Sequence, residues 1–221
     1  MERLVCILIG YIFGCVLTAN IVARQRTGRS AFDIGSGNPG MANIGREFGA
    51  GSAAVVLFFD ILKTIAAVVI AGVWCRAFFA DGTLTTVIVS SPAHLGFPDS
   101  GTLATLYAGL GATIGHNFPF WHRFSGGKGV TTTCAAIILF HPVAGIISCI
   151  IGLAVVVFSR QLCYGAVVIP VAFIVALIIL HAPAEVIVIA VIQLVLMLIA
   201  HGGPCLQAMQ GREPKTNLFR R

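Results

Sequence analysis

Along this chain, apolar runs of helix length alternate with short polar segments, and the runs carry almost no charge. They fall at about residues 4–23, 52–75, 102–116, 130–141, 143–158, 163–181 and 184–200. A helix needs about 20 apolar residues to cross the hydrocarbon core of a bilayer, and several of these runs approach or exceed that length. They lack the apolar–polar alternation of a membrane barrel, and in lipid a helix satisfies its own backbone groups. The expectation is an all-α polytopic membrane protein: a bundle of about seven transmembrane helices in a single domain over residues 1–221. The stretch Phe140–Gly145 reads either as a tight turn between two helices or as a kink in one longer helix, which would leave six spans. The first run follows a single arginine and precedes further spans, so it reads as a retained anchor and not as a cleaved signal.

Composition agrees with the pattern. Of 221 residues, 57% are apolar and 10% charged, whereas soluble domains carry about 25% charged residues. The net charge of +6 is scattered between the runs, which suits orientation signals and anion contacts better than a nucleic-acid surface. With the N-terminus outside, the inner segments hold Arg24, Arg26, Arg29, Arg46, Arg123, Lys128 and Arg160, and the tail adds Arg212, Lys215, Arg220 and Arg221. That is eleven of the fourteen basic residues; Arg3 and Arg76 lie outside with Glu2, Asp81, Asp99 and Glu185. The expected orientation is N-terminus outside and C-terminus cytoplasmic. The seven cysteines form no C-x-x-C pair and read as small core residues.

In this topology three polar segments emerge on the same inner face: "DIGSGNPGMANIGRE" (Asp33–Glu47), "GHNFPFWHRFSGGKGV" (Gly115–Val130) and "HGGPCLQAMQGREPK" (His201–Lys215). Glycines let backbone N–H groups converge on an anion, and a neighbouring Arg or Lys supplies charge. Ser36, Gly37, Gly40 and Arg46 suit a phosphate site, and equally a loop with a Pro39-Gly40 turn. The second segment is not a nucleotide P-loop. That motif needs a hydroxyl after its lysine and a glycine five residues before the last glycine, whereas Gly129 follows Lys128 and His122 takes the early position. Lys128 still precedes a helix start near Val130, where an anion would be favoured. His116 is a candidate acid/base group or phosphate donor, or a structural histidine; His94, His141 and His181 carry no assigned role. Asp60 and Lys63, at i and i+3 inside the second run, are either functional or a self-neutralising pair. Carboxylates are too scattered for a two-metal site, and no G-x-S-x-G elbow occurs.

Together "GSGNPGMANIGR", "GHNFPFWHRFSGGKGV" and "GREPK", with "FDILK" in the second run, resemble the motifs of the bacterial PlsY-type membrane glycerol-3-phosphate acyltransferases. The resemblance covers nearly the whole chain. It implies transfer of a fatty acyl group from acyl phosphate to sn-glycerol 3-phosphate, giving lysophosphatidic acid and phosphate for phospholipid synthesis. It further implies no cofactor, neither acyl-CoA nor metal, and a multi-pass protein of the bacterial inner membrane with its active site on the cytoplasmic side. Lys128, His116 and His201 would be catalytic. Ser36, Gly37, Asn38, Asn43, Arg46, Gly126, Gly127, Gly129 and Glu213 would bind substrate and phosphate, with apolar grooves taking the acyl chain.

This chain departs from the family pattern at several positions. Met41 and Ala42 precede Asn43 where the family has Ala-Thr; Pro204 and Gln207 replace an asparagine and an arginine; Cys163 and Cys15 stand for serines. Each lost charged donor corresponds to about 1.5–3 kcal/mol of binding. Two alternatives follow: a divergent, non-catalytic lipid or acyl-phosphate binding paralogue, and a small anion transporter. Phosphate release from acyl phosphate separates the enzyme from both, and uptake without acylation identifies the transporter.

Overall fold

A backbone in hydrocarbon must satisfy its own polar groups, and every apolar run resolves into helix. The computed structural model describes residues 1–78 and 102–212. Among them the helices are α1 (Glu2–Gly14), α2 (Thr18–Thr27), α3 (Met41–Phe48), α4 (Ala50–Phe78), α5 (Leu103–Asn117), α6 (Val130–Phe140), α7 (Pro142–Ser159), α8 (Leu162–Ile179) and α9 (Ala184–Met209). Short 3-10 turns cover Ala31–Asp33 and Phe120–His122. Five segments are long and apolar enough to cross a membrane: α1 with α2, α4, α7, α8 and α9. Helices α5 and α6, of 15 and 11 residues, are shorter. Phe58, Phe158 and Ile199 are exposed on the outside of the bundle, the arrangement expected of lipid-facing side chains in a multi-pass membrane protein.

The first run is not one helix. It breaks between Gly14 and Thr18, with Leu17 extended. Carbonyls at a helix end have no partner within the helix, and here distant donors supply one. Trp121 Nε1 donates to the Cys15 carbonyl at 2.8 Å, and Lys63 Nζ donates to the Val16 carbonyl at 2.8 Å.

The Phe140–Gly145 stretch is a true corner between two helices. Pro142 opens α7, and Nδ1 of His141 accepts from the Ala144 N–H at 3.2 Å, so His141 has a capping role. A Cβ on Gly145 would stand 2.7 Å from Ile138 Cα, so glycine is what lets α7 fold back on α6. At the other end, α9 runs past residue 200 to Met209. His201 and Pro204 therefore sit on a helix and not in a polar tail, because apolar positions continue through Cys205, Leu206 and Met209.

Packing rests on small residues. Between α1 and α5, a Cβ on Gly10, Gly14, Gly111 or Gly115 would run into the backbone of the facing helix. Between α7 and α8, a Cβ on Gly152 would strike the Ile169 side chain, and one on Gly165 would strike the Val156 side chain and the Gly152 carbonyl. All seven cysteines are free thiols, and four lie buried.

Candidate active site

The first polar loop is organised by two buried asparagines. Asn20 Oδ1 accepts from Ser30 Oγ at 2.8 Å and from the Ala31 N–H at 3.0 Å, tying α2 to the loop. Asn43, 1% exposed, accepts from the Ser36 N–H at 2.9 Å and donates to the carbonyls of Ala31 and Ile34. Gly35 and Gly37 take positive φ in the turn that Asn43 closes. Gly40 is then the N-cap of α3, which carries Arg46 one turn along.

The second polar segment leaves α5 at Asn117 and returns at α6. The Gly127 N–H donates to the His116 carbonyl at 2.9 Å, and a Cβ on Gly127 would strike His116 Nε2. Gly129, at φ 72°, is the N-cap of α6. Thr132 Oγ1 donates back to its carbonyl at 2.9 Å.

These two loops meet at one cavity of about 320 Å³. Gly40, Met41 and Ala42 from the start of α3 line it, as do Gly129, Val130 and Thr131 from the start of α6. Two helix N-termini thus offer unpaired N–H groups and positive dipole ends to one volume. Ser36, Asn38, Asn43, Arg46, Lys128, His116 and His201 complete its polar wall. His201 is 4% exposed, with neither ring nitrogen hydrogen-bonded. Away from this mouth the cavity turns apolar, running past Cys134 of α6, Cys149, Leu153 and Val156 of α7, and Leu162, Ala166 and Ile169 of α8.

Asp60 also reaches the cavity, from the middle of α4. Its carboxylate pairs with Lys63 Nζ at 2.7 Å and accepts from Thr18 Oγ1 at 3.3 Å. Lys63 Nζ has two further partners, the Val16 carbonyl and, at 2.9 Å, His116 Nδ1. The pair within the span is therefore formed, and it reaches His116.

Of the site residues expected from sequence, ten line this cavity: Ser36, Asn38, Asn43, Arg46, His116, Lys128, Gly129 and His201, with Gly40 and Asp60 from the wider reading. Gly37, Gly126 and Gly127 are not among the residues that line it, although Gly127 packs against the His116 ring, and Glu213 lies outside the described residues. Among the departures, Met41, Ala42, Cys163 and Pro204 face the cavity, whereas Gln207 is exposed on α9 away from it. The apolar lining had no signal in sequence, because Cys134, Gly152 and Ile169 look like any other residues of a membrane helix.

Known proteins supply an independent comparison. The family model described as glycerol-3-phosphate acyltransferase matches residues 4–211. Glycerol-3-phosphate acyltransferase 1 of Lactobacillus johnsonii is 35% identical over 162 residues, 73% of this chain and 68% of that protein. The glycerol-3-phosphate acyltransferase of a Thermoanaerobacter species is 26% identical over 215 residues, 97% of this chain and 96% of the relative. The fold is similar to the crystal structure of PlsY (YgiH), an integral membrane glycerol 3-phosphate acyltransferase, in its glycerol 3-phosphate form. The TM-score is 0.78 at 22% identity, covering 100% of both chains. By a sequence match along nearly its whole length, and with the same fold, this chain belongs to the glycerol-3-phosphate acyltransferase family.

Proposed function

We propose that the protein transfers a fatty acyl group from acyl phosphate to the 1-hydroxyl of sn-glycerol 3-phosphate, releasing lysophosphatidic acid and inorganic phosphate. The observation that carries this reading is the shape and chemistry of one cavity. An anion-binding mouth built from two helix N-termini, Ser36, Arg46 and Lys128 opens into an apolar crevice between α6, α7 and α8. Both substrates bring phosphate, and the donor also brings a hydrocarbon chain.

In the step itself the glycerol hydroxyl oxygen bonds to the acyl carbonyl carbon, and the bond from that carbon to the phosphate oxygen breaks. The hydroxyl proton ends on a phosphate oxygen, so atoms and charge balance. Lys128 and the amides at the start of α6 oppose charge growing on the leaving phosphate, the electrostatic help that often dominates acyl transfer. Arg46 and Ser36 hold the phosphate of the acceptor from the α3 side.

The same reading takes the protein as a seven-span protein of the bacterial inner membrane, with α5 and α6 as short spans, the N-terminus outside and the cavity mouth on the cytoplasmic side. Support comes from the basic residues Arg24, Arg26, Arg29, Arg123 and Arg160, all on one side of that topology.

The test is phosphate release by purified protein given palmitoyl phosphate and glycerol 3-phosphate. Lys128→Ala should slow release roughly ten- to a hundredfold, the range of one charged hydrogen bond of about 1.5–3 kcal/mol. Release from native protein no faster than from folded Lys128→Ala would sink the proposal.

A further inference from the structure

The contacts of Lys63 decide what His116 can do. An ammonium has three N–H donors and no acceptor. Lys63 Nζ has three partners, Asp60 Oδ1 at 2.7 Å, the Val16 carbonyl at 2.8 Å and His116 Nδ1 at 2.9 Å. The carboxylate and the carbonyl can only accept, so all three donors are used when Nδ1 accepts as well. An imidazole whose Nδ1 accepts carries its proton on Nε2. Nε2 is the nitrogen beside Gly127, on a side chain that lines the cavity.

We propose that the Asp60–Lys63 pair is a positioning device that holds His116 as the neutral Nε2–H tautomer, making it a hydrogen-bond donor to substrate oxygen. In this state His116 has no lone pair facing the cavity. It does not take the hydroxyl proton, which leaves that role to a phosphate oxygen. The Val16 carbonyl belongs to the device, since the break between α1 and α2 is what frees it for Lys63. Thr18, the first residue of α2, steadies Asp60 from the same break. Burial strengthens the whole chain, because Asp60 and Lys63 are 2% and 7% exposed. This rests on the acyl-transfer reading for its consequence, but the tautomer itself does not.

The test combines a spectrum with two pairs of variants. Full-length protein with 15N-labelled histidine, in detergent micelles at neutral pH, gives the His116 ring signals by subtraction of His116→Gln. The expected signature is a protonated Nε2 and an unprotonated Nδ1. That signature should persist in Lys63→Arg and collapse toward exchange between tautomers in Lys63→Met. A protonated Nδ1 in the native protein, or an unchanged ring in folded Lys63→Met, overturns the proposal. If Lys63→Met does not fold, the native spectrum and Lys63→Arg still decide it.

In turnover, His116→Gln keeps an N–H near Nε2 but has no basic nitrogen. It should retain activity within about tenfold of native, the scale of one neutral hydrogen bond, while His116→Ala falls well below it. Equal loss in both, with the native signature intact, excludes the donor role. Absence of any turnover in native protein would instead count against the acyl-transfer reading and leave the spectrum to judge the tautomer.

Discussion

Lys63 stands near the middle of a 29-residue helix that is otherwise almost entirely apolar. An unpaired charge there would be expensive, and its three acceptors make it tolerable. Asp60→Ala removes one partner and should lower stability by about 3–5 kcal/mol, the cost of breaking a buried pair. Thermal unfolding in detergent measures it. The double variant Asp60→Leu with Lys63→Met should recover much of that stability without recovering turnover. Recovery of both would mean the pair serves packing alone. Pro204 and Gln207 separate in the same way. Pro204 faces the cavity and Gln207 does not. Pro204→Asn should therefore raise turnover by up to about tenfold through one new hydrogen bond, and Gln207→Arg should leave it unchanged. Equal gains from both would contradict the position of Gln207.

At the scale of elements, the close contact of α1 with α5 carries the second polar segment, because His116 is in the last turn of α5. A Cβ on Gly111 would meet the backbone of Ile7. Gly111→Ala should push the helices apart and cost about 1–3 kcal/mol, seen as a lower unfolding temperature with weaker turnover. An unaltered unfolding temperature would argue against that contact. The elements were legible in the sequence where hydropathy alone makes them, as for α4, α7 and α8. The break after Gly14 was not, since its stabilising donors come from Lys63 and Trp121, 47 and 106 residues away. The extension of α9 was hidden by Gly202, Gly203 and Pro204, which read as the start of a polar segment but are held in helix. The polar wall was legible because Ser36, Arg46, His116 and Lys128 fall in glycine-rich motifs. The crevice was not, because membrane helices are apolar on every side and only packing shows which face borders a cavity.

For the whole molecule, the arrangement suits acyl transfer between a water-soluble acceptor and a lipid-like donor. Water-soluble acceptor and hydrocarbon-bearing donor need adjacent but different environments. One cavity with a cationic mouth and an apolar crevice supplies both. If this cavity joins the two substrates rather than merely holding or hydrolysing one, lipid and phosphate must appear together. The most direct measurement follows purified protein with palmitoyl phosphate and isotope-labelled glycerol 3-phosphate, with lipid products identified by mass spectrometry and phosphate counted in parallel. Labelled 1-palmitoyl-glycerol 3-phosphate should form one-to-one with phosphate. Phosphate without labelled lipid, or no product from folded protein, would contradict it.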